Sequence, residues 1–182
     1  MGAIVLALQA LFRKNNLQMW YLRPGCGKSL MLQIIGWLYL TTNAISKVTF
    51  VIPNEALLER DVAEFAGFWG SLQKNRVEFS LEMPWATSPD HLVLVDEADM
   101  LMFGNPKEFF TAIKRSHHCI CFSSSLKGNW QPVLDQLCAL SRSNKWCTVR
   151  TTTVLCRPSK ILFLLVSAIS LPASSTLSNR SL

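Results

Sequence analysis

Short apolar runs alternate with segments of helical spacing along most of this chain. Each run holds four or five mostly apolar residues, and short continuous runs of this kind are typical of strands buried in a parallel sheet. They occupy residues 18–22, 48–52, 91–95 and 119–122, with a weaker one at 77–81. The spacing of apolar residues predicts helices over 28–41, 55–65, 105–115 and 131–140. This alternation predicts an α/β domain with a mainly parallel β-sheet flanked by helices.

The two ends of the chain depart from this alternation. Apolar positions over 1–17 predict a short N-terminal helix, and 18–157 is predicted to form the main domain. Residues 148–154 and 161–166 have the composition of further strands, whereas 158–182 as a whole is rich in serine and leucine with few charges. We therefore expect 158–182 to be a poorly ordered or atypical tail.

Composition narrows the class of protein. With 182 residues, 49% of them hydrophobic and 16% charged, the chain is suited to one packed domain. The net charge of +6 fits a polyanionic partner such as nucleic acid or nucleotide, and its scattered distribution fits a solvated basic surface equally well. Six cysteines without a CxxC pair predict reduced thiols and an intracellular location, in cytoplasm or nucleus. The apolar run at 161–171 is too short for a membrane span, which needs about 20 residues.

A glycine-containing loop joins the first predicted strand to the first predicted helix. Its residues are Pro24, Gly25, Cys26, Gly27, Lys28 and Ser29. Glycines let backbone N–H groups approach a phosphate closely, a lysine supplies a cation, and a serine hydroxyl can hold a metal ion. Leu22 stands where the pattern G-x-x-x-x-G-K-[ST] has its first glycine. The strand, loop and helix order predicts a phosphate-binding loop.

A second motif follows the apolar strand at 91–95. Asp96 is placed to hold Mg²⁺ together with Ser29, and Glu97 to polarise an attacking water. The two motifs in this order predict that the chain binds a nucleoside triphosphate with Mg²⁺. Ser29 and Asp96 are the predicted ligands of the metal ion.

These motifs resemble those of the superfamily-2 DEAD-like helicases. Residues 95–99 are similar to motif II of that family, and 24–29 are similar to its motif I. The resemblance implies that 18–157 is an N-terminal RecA-like P-loop lobe that binds ATP. It also implies catalytic roles for Lys28, which contacts the β and γ phosphates, and for Glu97, which activates water.

Two further segments are similar to motifs that couple the ATPase site to nucleic acid. Residues 51–57 resemble motif Ia, which implies that Pro53 and Asn54 contact the nucleic-acid backbone. The serine triplet resembles motif III, usually S-A-T, and with Asp99 it is expected to link ATP hydrolysis to strand separation. The triplet is Ser123, Ser124 and Ser125.

The resemblance implies partners as well as a fold. Hydrolysis in the family needs a second RecA-like lobe that supplies arginine fingers, and the residues that follow Ser125 are too few to form one. We therefore expect a lobe that binds RNA or DNA and hydrolyses ATP slowly by itself.

Other interpretations stay open beside this one. A SecA-like protein-translocation ATPase fragment has closely related motifs, and a non-catalytic module would bind nucleotide or a partner without turnover. Residues 117–121 bring two histidines and two cysteines together, but successive strand residues face opposite sides, so no zinc site is predicted.

Overall fold

A six-stranded parallel sheet forms the centre of the chain. The computed structural model describes residues 17–22, 24–25, 27–70, 73–124, 147–150, 152–157 and 160–165. The strands are β1 (Leu17–Tyr21), β2 (Lys47–Val51), β3 (Val77–Ser80), β4 (His91–Val95), β5 (His118–Ser123) and β6 (Cys147–Arg150). They lie in the order β3-β2-β4-β5-β1-β6, and every neighbouring pair is parallel. This confirms the predicted α/β class with a mainly parallel sheet.

Five helices connect the strands in the described part of the chain. They are α1 (Lys28–Thr41), α2 (Glu55–Trp69), α3 (Gln73–Arg76), α4 (Ala98–Gly104) and α5 (Pro106–Arg115). Asn54 caps α2, where its side chain accepts a hydrogen bond from the backbone N–H of Leu57 at 3.1 Å. None of the helices in the described ranges is long and apolar enough to cross a membrane.

The helix predictions need correction in two respects. The helix predicted over 55–65 continues to Trp69, because the indole of that residue is buried and its N–H donates to the Gln33 side chain at 2.7 Å. The short helices α3 and α4 were not predicted, since both are too short to show a helical repeat, and α4 begins at Ala98, inside the segment similar to motif II.

The chain after β6 forms a two-stranded antiparallel sheet. Its strands are β7 (Thr152–Arg157) and β8 (Lys160–Leu165). The second strand lies inside the stretch expected to be a poorly ordered or atypical tail, and it matches the further strand that the composition of 161–166 indicated. The helices predicted over 1–17 and 131–140 fall outside the described residues, except that Leu17 begins β1.

Both faces of the central strand β4 are buried. Leu92 and Leu94 pack into one apolar cluster with residues of α1 and α2. Val93 and Val95 pack into a second cluster with residues of α4 and α5. Because alternate strand residues face opposite sides, the two clusters are two layers with the sheet between them. The end of β4 is therefore held firmly at the point where the acidic motif begins.

The carboxyl ends of β1, β5 and β4 lie side by side at one edge of the sheet. Two backbone hydrogen bonds extend the strand pairing past these ends. The Leu22 N–H donates to the Ser123 carbonyl at 2.9 Å, between β1 and β5. The Asp96 N–H donates to the Val51 carbonyl at 2.8 Å, between β4 and β2. Since the sheet is parallel, the loops that leave these strands emerge at the same edge. Ligands of open α/β sheets bind at this edge.

Candidate functional site

A cleft of about 390 Å³ opens at this edge of the sheet. The residues that line it come from the glycine loop, the first turn of α1, one face of α2 and the ends of β4 and β5. The cleft therefore brings together the two motifs that the sequence places far apart.

Two glycines of the loop before α1 have a left-handed backbone. Gly25 and Gly27 have φ angles of 77° and 73°, in the left-handed region that disfavours residues with a side chain. Gly27 is the N-cap of α1, and no side chain among the described residues bonds to that helix end. The first N–H groups of α1 are thus available to an anion. Cys26, also predicted to belong to this loop, lies outside the described residues.

The Lys28 side chain connects the two motifs. Its Nζ atom lies 2.9 Å from Asp96 Oδ1 and 2.5 Å from Glu97 Oε1. The Lys28 side chain is 10% exposed and that of Asp96 is 4% exposed. Burial lowers the pKa of Lys28, but the two carboxylates outweigh this effect, and the net pKa is raised. Lys28 is therefore a fixed ammonium at neutral pH.

The two carboxylates differ in their surroundings. Burial raises the pKa of Asp96, against the opposing effect of Lys28. Burial also acts to raise the pKa of Glu97, but hydrogen bonds from Lys28 and Ser124 reverse the shift, and the net pKa is lowered. Glu97 has φ 45° and ψ 45°, a left-handed conformation that is uncommon outside glycine and clusters at functional sites. The strained backbone directs this carboxylate toward Lys28.

The serine motif contacts the acidic motif directly. The Ser124 hydroxyl donates to Glu97 Oε2 at 2.7 Å, and the Ser123 hydroxyl donates to Asp99 Oδ1 at 2.9 Å. The end of β5 and the start of α4 are therefore joined by two side-chain hydrogen bonds. Ser125, the third predicted member, lies outside the described residues.

Of the remaining predicted residues, some line the cleft and others do not. Ser29 lines the cleft together with Asp96, so a hydroxyl and a carboxylate oxygen face the same space. Oxygen donors of this kind suit Mg²⁺, which otherwise keeps water and phosphate oxygens as ligands. Pro24 also lines the cleft, whereas Pro53 and Asn54 do not, and their contact with nucleic acid stays a prediction.

Sequence reasoning missed several residues that line the cleft, and Arg60 is the cation among them. Arg60 of α2 reaches the cleft, and its Nη2 atom donates to Ser29 Oγ at 3.2 Å. No motif includes it. Its spacing from Leu57 is the only sequence signal, since residues three apart share a helix face and both of these line the cleft.

The histidines and cysteines at 117–121, considered above as possible zinc ligands, contact other groups of the protein. The His117 ring contacts the Thr87 carbonyl at 2.8 Å, and the buried Cys119 and Cys121 have their Sγ atoms 3.5 Å apart. Within the described ranges, no group of three or more histidine, cysteine, aspartate or glutamate side chains is arranged to hold a metal ion.

Comparison with solved structures identifies the fold. The UvsW helicase of bacteriophage T4 matches with a TM-score of 0.54 and 13% identity, over 80% of this chain and 58% of that protein. The SWI2/SNF2 ATPase core of Sulfolobus solfataricus, solved in complex with double-stranded DNA, matches with a TM-score of 0.52 and 14% identity. That match covers 82% of this chain and 43% of the core.

The chain has the RecA-like fold of helicase and SNF2 ATPase cores. This confirms the fold that the motif resemblance implied. The chain spans 58% and 43% of the lengths of the two matched proteins, so it corresponds to part of each. No protein-family model matches the sequence, and no curated protein does. The DEAD-like assignment within this fold stays a prediction that rests on the motifs.

Proposed function

We propose that this chain is the ATP-binding lobe of a DEAD-like, helicase-type ATPase. In this proposal it binds ATP with Mg²⁺ and, joined by a second RecA-like lobe, hydrolyses ATP to remodel nucleic acid. The observation that carries the proposal is the contact of Lys28 Nζ with both Asp96 and Glu97 in a cleft bounded by the glycine loop. The fold shared with helicase and SNF2 ATPase cores supports it.

The loop and α1 are suited to hold the phosphates. The backbone N–H groups of Gly25, Gly27 and Lys28 would cradle the phosphate oxygens at the helix N-terminus. The Lys28 ammonium now bridges two carboxylates, and on nucleotide binding it would turn to the β and γ phosphates. Ser29 and Asp96 would hold Mg²⁺, which neutralises charge on the phosphates when it is bound.

Release of Lys28 prepares Glu97 for its proposed role. One carboxylate oxygen of Glu97 is held by the Ser124 hydroxyl, while the other is occupied by Lys28. Once Lys28 contacts phosphate, that second oxygen is free to orient a water molecule and accept its proton. Ser124 keeps the carboxylate in place during this exchange.

The proposed partners are nucleic acid and a second lobe. The net charge of +6 favours a polyanion, and the matched SWI2/SNF2 core was solved with double-stranded DNA. Asp99 and Ser123 would transmit the state of the cleft to nucleic acid bound near Pro53 and Asn54. Arginine fingers from a second lobe are worth about 10³- to 10⁵-fold in rate, so the chain alone should turn over slowly. We place such an ATPase in the cytoplasm or nucleus.

Nucleotide binding tests the site. Titration with a fluorescent ATP analogue should show Mg²⁺-dependent binding that Lys28→Ala abolishes. Lys114→Ala is a matched control, since it removes an exposed lysine of α5 that does not line the cleft. Equal affinity in Lys28→Ala and the unmodified chain would sink the site assignment.

Turnover tests the helicase interpretation. When the chain is fused to a second RecA-like lobe, RNA or DNA should stimulate its ATPase activity. Glu97→Gln should keep nucleotide binding and lower turnover by about 10²- to 10⁴-fold, because it removes the general base. An ATPase that no nucleic acid stimulates would favour a protein-translocation motor instead.

A further inference from the structure

Arg60 is a cation in the lining of the cleft whose role the proposed motifs leave unexplained. It lies on α2, in the wall opposite the glycine loop, and its side chain is 51% exposed. Its Nη2 atom donates to Ser29 Oγ at 3.2 Å, across 31 positions of sequence. The guanidinium therefore meets the hydroxyl that is proposed to hold Mg²⁺.

A buried carboxylate sets the direction of this guanidinium. Asp61 is only 1% exposed, and it accepts hydrogen bonds from Arg60 Nε at 2.9 Å and from Nη2 at 2.5 Å. A buried charge is costly unless it is paired, so Asp61 holds Arg60 in this orientation. Side chains of adjacent helix residues do not normally face each other. The Arg60 side chain therefore has to bend toward Asp61 to make these hydrogen bonds.

The contact with Ser29 would place Arg60 near the terminal phosphate of a bound nucleotide. Ser29 would hold Mg²⁺ in the proposed function, and Mg²⁺ would neutralise charge on the terminal phosphates. A donor 3.2 Å from that hydroxyl would then lie close to the γ-phosphate oxygens. The contacts of the described residues use Nε and Nη2 and leave the Nη1 group to bind a further acceptor.

The charges around the cleft favour this use of arginine. Glu64 lines the cleft one helical turn beyond Arg60, and its carboxylate would repel a phosphate without a cation beside it. Lys28 approaches from the loop side, where it is already bound to two carboxylates. Arginine is the side chain best suited to bind phosphate in a forked, charge-assisted manner.

We propose that Arg60 is a phosphate-binding residue that recognises the terminal phosphate and makes the cleft prefer ATP to ADP. This inference rests on the proposed function. On nucleotide binding the guanidinium would turn from the Ser29 hydroxyl to the γ-phosphate, which would leave that hydroxyl to hold Mg²⁺. Asp61 would stay hydrogen-bonded to Arg60 before and after nucleotide binding.

Paired affinities for a triphosphate and a diphosphate test the proposal. With Mg²⁺ present, Arg60→Ala should weaken binding of a non-hydrolysable ATP analogue by about 10- to 100-fold, the usual cost of a charge-assisted hydrogen bond. The affinity for ADP should change by less than about threefold, because the lost contact is to the γ-phosphate. The affinity of Arg60→Lys for the ATP analogue should lie between those of Arg60→Ala and the unmodified chain, since lysine keeps the charge but lacks the forked guanidinium.

Two controls keep the result interpretable. Arg115→Ala removes a cation that stacks 3.8 Å over the Trp85 ring outside the cleft, and it should leave both affinities unchanged. Because Arg60→Ala leaves a buried carboxylate unpaired, the double variant Arg60→Ala with Asp61→Asn should show the same selective loss. Retained ADP binding shows that each variant is folded.

The outcomes separate this inference from the proposed function. Equal losses for both nucleotides, or no loss at all, would overturn the role of Arg60 while the Lys28 site stands. Failure of the unmodified chain to bind either nucleotide would overturn both.

Discussion

His91 is a buried titratable residue at the start of β4, away from the cleft. Its Nε2 atom lies 2.8 Å from Thr49 Oγ1, and the Thr49 hydroxyl donates to Glu78 Oε2 at 3.1 Å. Since Thr49 has a single hydroxyl hydrogen, His91 must carry its own proton on Nε2 to complete this chain. Burial lowers the pKa of His91, and Lys47 adds to the shift, while Glu78 and Asp90 oppose it. The ring is therefore neutral in the folded protein.

A neutral buried histidine makes stability depend on pH. The pKa of His91 in the folded chain lies below its ordinary value of 6.5, so the unfolded chain binds the proton more readily. Its contribution to stability is present above pH 6.5 and is lost as the pH falls toward the folded-state pKa. The free energy of unfolding should fall between pH 7.5 and 5.5, by at most about 1.4 kcal/mol per pH unit for this group.

Urea unfolding at the two pH values measures this effect. His91→Gln should reduce the loss on acidification, while His118, whose pKa burial also lowers, keeps part of it. An identical pH dependence in His91→Gln and the unmodified chain would contradict the assignment.

Among single residues, the sequence indicates a place in the site for those inside motifs but not for Arg60, which lies outside them. Lys28, Asp96 and Glu97 could be singled out because they stand in motifs of known spacing, and the structure brings their side chains together. The contact of Arg60 with Ser29 depends on how α2 packs beside α1, and no local pattern encodes that packing. The left-handed backbone of Glu97 is likewise not marked by any sequence pattern.

Among the elements, α1 is constrained by its close approach to the sheet. A Cβ atom added at Gly36 would lie 2.7 Å from Phe50 Cζ, 3.3 Å from Leu94 Cδ1 and 3.4 Å from Trp69 Cη2. These atoms belong to the sheet and to α2, so Gly36 lies where α1, α2 and the sheet meet. The absence of a side chain there lets α1 lie against the strand that carries Asp96.

Gly36→Ala should therefore destabilise the chain. Alanine favours a helix over glycine by about 1 kcal/mol, but the overlap with the Phe50 ring should cost about 1 to 3 kcal/mol. Gly67→Ala in α2 is the matched control, because no atom lies within 4 Å of its added Cβ, and it should stabilise by about 0.5 to 1 kcal/mol. Urea unfolding of both variants gives the comparison, and a stabilising Gly36→Ala would refute the packing argument.

The strands were easier to predict than the helix boundaries. The sheet strands are marked by short apolar runs, and burial of β4 on both faces explains why its run is continuous. Helix α2 extends beyond its predicted end because Trp69 packs against α1 and Phe50 of the sheet, which no repeat along α2 reveals. Strand β8 matches the apolar run at 161–166, although the overall composition of 158–182 favours irregular structure.

On the scale of the whole molecule, the cleft joins segments that are far apart in sequence. Lys28 and Glu97 are 69 positions apart, and Ser29 and Arg60 are 31 apart. The cleft exists only when β1, β4, β5 and α2 are packed together. A ligand that fills it should consequently stabilise the entire sheet.

Mg²⁺ and ATP together should raise the thermal stability of the chain. A ligand at 100 times its dissociation constant stabilises the folded state by about 2.7 kcal/mol. For a domain of this size that corresponds to a rise in Tm of roughly 5 to 10 °C. ATP with EDTA should give a smaller rise, because the carboxylate of Asp96 then faces the phosphates without a metal ion between them. Lys28→Ala should abolish the rise, and an equal rise in that variant would mean that ATP stabilises the chain from another site.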